Sequence, residues 1–268
     1  MADFEMIPVL DWSLITSGER DAFLSQLRHA FITVGFCYLK DPPIEKSTRD
    51  RLIAYAPKLF ELDEVRKDAL GMVNTPHFLG YTHWAVQPEY TRGQIDMREQ
   101  FDFGTDYENP WREGDPDYMK LWGNAQWPPE ELLSGFKATL ITYLEQLGKF
   151  GFKFMELLAE AFGLPINAFD KFYESPKETQ QHRCKIIKYP VQEDSRANQG
   201  VGPHFDSGFL TLLLQASSQP GLQVQSPSGK WIDALPIPDT LVVNLGKGIE
   251  TVTGGSQGRH AIECSRPI

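Results

Sequence analysis

Apolar residues recur at helical spacing early in the chain and alternate with polar ones late in it. Ile7-Pro8-Val9-Leu10-Asp11 reads as a short opening strand. Phe23, Leu27, Ala30 and Phe31 share one face and predict a helix near 19–34. Gly35-Phe36-Cys37-Tyr38-Leu39 predicts a strand, which Asp41-Pro42-Pro43 ends. Leu52, Ala56 and Leu59 mark a second helix around 45–60, and the charged stretch 62–70 adds a helical turn or two. Residues 71–128, rich in Gly, Pro, Trp and Tyr, have little periodicity and read as loops and short strands beside a pocket. Pro128-Pro129-Glu130-Glu131 opens a long amphipathic helix to about Phe162, with Leu133, Phe136, Leu140, Leu144 and Phe154 among its apolar positions.

From Cys184 onward the period becomes two and the runs shorten. Residues 185–189, 209–215, 222–225 and 241–244 predict strands, punctuated by Gly, Pro and Ser. Such spacing suggests a β-sandwich or jelly roll. Helices in front of it make the class α+β. There is no internal repeat or low-complexity tract.

The composition narrows the partners. The 268 residues are 41% hydrophobic, enough for an ordinary globular core. A formal net charge of -10 argues against nucleic acid or an anionic membrane as the main partner, since both call for a basic face. Three cysteines, Cys37, Cys184 and Cys264, without paired spacing read as reduced thiols. No signal peptide is visible at the start and no apolar run is long enough to span a bilayer, so a cytoplasmic location is expected.

Gly202-Pro203-His204-Phe205-Asp206-Ser207-Gly208-Phe209-Leu210-Thr211-Leu212-Leu213-Leu214-Gln215 carries the most informative chemistry. An imidazole and a carboxylate two residues apart, entering an apolar run, are expected to point the same way from one strand. They offer one nitrogen and one oxygen to a single metal, two thirds of a 2-His-1-carboxylate facial triad.

The run around these two residues is more specific than the pair. IPVLDW near the start, HAFITVGFCYLKDPPI, REQFDFG at 98–104, KYP at 188–190, GPHFDSGFLTLLLQ and then GLQVQSPSGKWIDALPIPDTLVVNLG up to 246 occur in order. Over residues of about 6–255 the chain resembles the Fe(II)- and 2-oxoglutarate-dependent dioxygenases of the isopenicillin N synthase-like family. The resemblance implies a double-stranded β-helix (jelly roll, cupin-like) core with flanking N-terminal helices and a long scaffold helix. It divides the chain into an N-terminal dioxygenase region over 1–125 and, over 126–268, the scaffold helix plus an incomplete jelly-roll core, together one compact unit. It implies Fe(II), 2-oxoglutarate and O2 as cofactor and cosubstrates. His204 and Asp206 would be metal ligands, and Tyr189 would donate to the distal carboxylate of 2-oxoglutarate. Asn244 would support the strand near the site. Arg98, Glu99 and Gln100 would lie on the substrate side. The implied reaction is hydroxylation or desaturation of a small organic metabolite with release of succinate and CO2.

The tail departs from the family pattern. A second histidine is expected after VVNLG, and gap-free alignment on Gly255 puts that position at Ile262. The nearest histidine is His260, followed by Ala261 rather than Arg, and the family's Arg-x-Ser clamp has no counterpart. Either a shorter loop brings His260 to the iron, or the residues after about Gly255 are another reading frame. The loss of apolar alternation favours the latter, with the last core strands missing. Arg266 is read as solvated rather than as a substitute clamp. A site lacking one imidazole is expected to bind iron weakly, with impaired turnover and an open sheet edge. The alternative reading is a catalytically inactive jelly-roll remnant acting as a binding protein or non-functional isoform. A further one keeps iron and O2 chemistry without 2-oxoglutarate.

Other residues take plainer readings. His29 is a surface or packing residue. His77, His83, Trp84 and Tyr90 belong to the aromatic loop region, where substrate contact is conceivable but an ordinary loop role is expected. His182 has no assigned role. Cys184 lacks the His and Asp context of a nucleophile. No motif specifies an oligomeric state.

Overall fold

Strand β2 (Phe36–Lys40) shows how the chain sorts its apolar residues. Its side chains alternate, and each face meets a different core. Cys37 and Leu39 turn toward the helices, whereas Phe36 and Tyr38 turn toward a second sheet. The computed structural model describes residues 3–83, 97–173, 182–190, 199–252 and 262–265.

Four strands make the first sheet, in the order β1 (Val9–Asp11), β2, β10 (Thr240–Leu245) and β7 (Leu210–Leu213). β1 runs parallel to β2, and the other pairs are antiparallel. The second sheet has the order β6 (Gln199–His204), β11 (Ile262–Ser265), β8 (Leu222–Gln225) and β9 (Trp231–Asp233). Phe4, Ile7, Phe36, Tyr38 and Val242 pack against Leu222, Val224, Ile232 and Ala234 to fill the space between the two sheets. This is the two-sheet packing of a jelly roll. A third sheet joins β3 (Gly80–Thr82), β4 (Glu99–Gly104) and β5 (Arg183–Lys188). Met97 N donates to Gly200 O at 2.9 Å, which ties the approach to β4 to the start of β6.

The helices cover the other face of the first sheet. They are α1 (Ser13–Thr16), α2 (Arg20–His29), α3 (Lys46–Phe60), α4 (Glu64–Ala69) and α5 (Phe136–Ala161), with α6 (Lys247–Val252) after β10. Phe23, Leu27, Ala30 and Phe31 are all fully buried, as their spacing predicts. The α2 spiral widens over Ala30–Val34 and stops at Gly35, whose φ of 76° suits a residue without a Cβ. Phe31, Phe136 and Phe154 lie in one cluster with Leu10, Leu39, Leu241 and Val243, so helices and first sheet share a core. Burying each such side chain contributes about 1.5–3 kcal/mol. No helix among the described residues is long and apolar enough to cross a membrane.

Three expectations need correction. The long helix begins at Phe136, not at Pro128. Gly135 takes a left-handed φ of 78°, and the Glu130 carboxylate accepts its N–H, so residues 129–135 form turns instead. Besides β11, two strands were not foreseen at their observed places, β6 and β9. β6 reads Gln-Gly-Val-Gly-Pro-His, with weak strand formers, and lies at the edge of its sheet, where a proline removes no ladder bond. The expected loss of strand pattern after Gly255 is overturned at Ile262–Ser265, which pair with both β6 and β8. Ile-Glu-Cys-Ser does alternate, over a run too short to stand out, and backbone bonds on both sides hold it.

Candidate functional site

Strand alternation decides what reaches the space between the sheets. On β10, Leu241 and Val243 face the helices, so Val242 and Asn244 face the second sheet. On β7, Leu210 and Leu212 pack toward the helices, and Thr211 and Leu213 take the opposite face. Asn244 and Thr211 are partners across the β10–β7 ladder, so two polar side chains stand side by side between the sheets. From the other side, Ile262 registers with both Val224 and His204. Val224 faces the inter-sheet core, and residues opposite one another across strands share a face. His204, the last residue of β6, therefore projects toward Asn244 and Thr211.

The bend from β6 to β7 crosses between the sheets and carries Asp206. This corrects the expectation of one strand bearing both residues: His204 ends β6, Asp206 lies in the bend, and β7 begins only at Leu210. The two side chains still converge, with His204 Nε2 3.7 Å from Asp206 Oδ1. Phe205 between them is exposed, with Lys247 Nζ 5.5 Å above its ring. The start of α6 grips the bend: Lys247 N donates to Asp206 O at 2.8 Å, Gly248 N to Gly208 O at 3.0 Å and Gly246 N to Phe209 O at 3.0 Å.

The imidazole has a defined orientation. Nδ1 donates to Gly202 O at 2.9 Å. A carbonyl only accepts, so Nδ1 carries a proton, and the neutral ring then presents its lone pair on Nε2. Asp206 Oδ2 accepts from Thr211 Oγ1 at 2.6 Å and from Asn244 Nδ2 at 2.8 Å. Metal–ligand bonds of about 2.0–2.2 Å to nitrogen and oxygen are together longer than the 3.7 Å gap, so one ion can bond both atoms. The donors, one imidazole and one carboxylate, fit Fe(II). Among the described residues no group of three His, Cys, Asp or Glu surrounds one ion, and His260 lies outside those residues.

The remaining candidates have surroundings of their own. Tyr189 is half-buried, immediately after β5, and has a polar or ring partner. Glu99 binds Lys67 Nζ at 3.0 Å, Lys188 Nζ at 3.2 Å and Tyr81 Oη at 3.1 Å, which makes it the hub of a buried ion network. Gln100 Nε2 donates to Asp102 Oδ2 at 2.7 Å, and Arg98, just before the strand, is also buried. Burial raises the Asp102 carboxyl above its ordinary value despite nearby Lys185. His77 Nδ1 donates to Lys120 O at 2.6 Å, His83 stands edge-on to Tyr81, and exposed His29 contacts Thr33. His182 contacts Thr105 and is held below its ordinary pKa by burial. Burial pushes the Cys184 thiol up to about 12, which removes it as a nucleophile. Trp84, Tyr90 and Arg266 lie outside the described residues. Thr211 was missed by sequence reasoning, because its value comes from a cross-strand neighbour that no local pattern reveals.

Comparison with known proteins agrees with this geometry. Residues 7–130 match the family model described as the non-haem dioxygenase in morphine synthesis N-terminal region. Residues 180–267 match the 2OG-Fe(II) oxygenase superfamily, so the likeness runs through the tail. A 2-oxoglutarate-dependent dioxygenase of Dothideomycetidae sp. (strain 11243) is 42% identical, over 94% of this chain and 67% of its own length. One from Gibberella zeae is 34% identical, over 95% and 66%. The chain thus spans about two thirds of the length of these fungal relatives. The homoarginine-6-hydroxylase of Oryza sativa subsp. japonica is 30% identical, over 95% of this chain and 79% of its own. A full-length Neurospora crassa protein solved with alpha-ketoglutarate and thymine superposes with a TM-score of 0.79 at 28% identity, covering 97% of this chain and 80% of that one. With both halves matched by the family's models, and a His–Asp pair set between the sheets, this chain belongs to the Fe(II)- and 2-oxoglutarate-dependent oxygenases.

Proposed function

We propose that this protein oxygenates a small organic metabolite, by hydroxylation or desaturation, with conversion of 2-oxoglutarate and O2 to succinate and CO2. The observation that carries the reading is the pairing of His204 Nε2 and Asp206 Oδ1 at 3.7 Å between the two sheets. Fe(II), when bound, supplies the activation of O2 that no side chain can provide. His204 and Asp206 would hold it, and His260 is the further imidazole that the sequence offers. The Gly202 carbonyl keeps the His204 lone pair on Nε2. Tyr189 would donate its hydroxyl to the distal carboxylate of 2-oxoglutarate. That the Neurospora crassa protein was solved with thymine, and that the rice relative is named for homoarginine, supports a small-molecule substrate.

The test is succinate release from 2-oxoglutarate under air with added Fe(II), across a panel of small metabolites. Wild-type protein should release succinate, faster with a true substrate, and His204→Ala and Asp206→Ala should abolish it. A protein that neither binds 2-oxoglutarate nor forms succinate with any panel member would refute the proposal. Consumption of O2 and substrate without succinate would favour chemistry independent of 2-oxoglutarate.

A further inference from the structure

Asp206 has two carboxylate oxygens, and the structure treats them differently. Oδ2 accepts from both Thr211 Oγ1 and Asn244 Nδ2, whereas Oδ1 faces His204 Nε2. Both donors come from one cross-strand pair on the first sheet, while His204 comes from the second. The carboxylate is therefore anchored by one sheet and aimed at a ligand on the other.

Packing alone gives no reason for an amide at position 244. Asn244 is 2% exposed, and its parity neighbour Val242 is apolar in the same inter-sheet face. Its Oδ1 has no partner among the described residues. Leaving half of a buried amide unsatisfied is unfavourable. Only its NH2 group can face a carboxylate, and that group is the one used.

We propose that Thr211 and Asn244 are positioning residues that hold Oδ2 as a hydrogen-bond acceptor and so commit Asp206 to bind the metal through Oδ1 alone. This rests on the reading of His204 and Asp206 as metal ligands. Without the two donors the carboxylate rotates about its last bond and either oxygen can turn to the ion. Hydrogen-bond partners of metal ligands commonly contribute about 10- to 100-fold in affinity.

The experiment titrates Mn(II) into the metal-free full chain and records the visible spectrum of the Co(II)-loaded protein. Thr211→Val keeps the shape and removes the hydroxyl, and Thr211→Ser restores it. Thr211→Val is expected to bind Mn(II) about 10-fold or more weakly, with an altered Co(II) spectrum and an unchanged metal-free melting temperature. Thr211→Ser should return affinity to within about 3-fold of wild type. Asn244→Ala provides a second loss of one donor and should weaken Mn(II) in the same range. The proposal is overturned if Thr211→Val and Asn244→Ala bind Mn(II) as wild type does, or if Thr211→Ser is as weak as Thr211→Val. His204→Ala separates the two levels. If it leaves Mn(II) affinity intact, the metal site itself is misassigned. If it abolishes binding while Thr211→Val and Asn244→Ala do not weaken it, only the positioning role fails.

Discussion

Gly246 is where the end of β10 comes closest to the bend that carries Asp206. A Cβ at this position would stand 2.1 Å from Gly208 O and 2.9 Å from Asp206 O, both backbone atoms. Ordinary contact begins at 3.4 Å, so Gly246→Ala forces the two segments apart by about 1.3 Å. That retreat stretches the bonds from Gly246 N to Phe209 O and from Lys247 N to Asp206 O. Each is worth about 1 kcal/mol, and overpacking adds a similar amount, so a loss of about 2–3 kcal/mol in stability is expected. The consequence at the site is larger. Displacing a reacting group by about 1 Å costs roughly 100-fold in rate, so 2-oxoglutarate turnover should fall by about that factor, and Mn(II) affinity by about 10-fold or more. Gly208→Ala is the control, because a Cβ there meets nothing within 4 Å, and it should cost less than about 1 kcal/mol. Urea melts and Mn(II) titrations on the pair read both effects. If Gly246→Ala melts early yet binds Mn(II) normally, the bend does not set the position of Asp206. If the two variants behave alike, the close approach itself is wrong.

Further predictions follow from groups outside the His204–Asp206 pair. Glu99→Ala takes the interior partner from the Lys67 ammonium, 3% exposed, and leaves it the exposed Glu64 at 2.7 Å, so it should cost about 1–3 kcal/mol in a denaturant melt; Lys67→Met added to it should recover much of the loss, and no recovery would show that the charge network is not the cause. His182 is held below its ordinary pKa of 6.5 by burial, so the unfolded chain takes up its proton first as pH falls. Its contribution to stability is complete above 6.5 and is lost as pH falls below that value, by at most about 1.4 kcal/mol per pH unit; His182→Leu should flatten this part of the curve of unfolding free energy against pH. Cys37, fully buried with its thiol pushed up by desolvation, should resist a thiol reagent in the native state and react on unfolding, and prompt native labelling of it would contradict its burial.

Periodicity and motif order sufficed for α2, α3 and the body of α5, for the strands of the first sheet, and for singling out His204 and Asp206 as a pair. Each rests on a signal within a few residues: the 3.6-residue stripe of Phe23, Leu27, Ala30 and Phe31, the alternation of Phe36 to Leu39, the His204–Asp206 spacing. Local pattern failed where long-range pairing overrides propensity. β6 is a strand despite Gly200, Gly202 and Pro203, because it pairs with β11 and receives Met97 N. Four residues of β11 gain their conformation from strands on both sides, which are about forty and sixty residues away along the chain. Glu99 and Lys67, 32 positions apart, meet only after the third sheet has packed on α4. The pairing of an imidazole and a carboxylate at 204 and 206 was thus written in the sequence, since side-chain chemistry belongs to the residue. The aim of Asp206 was not: it depends on Thr211 and Asn244, which become neighbours only when β7 and β10 pair, and hydrogen bonds across a sheet leave no trace in local order.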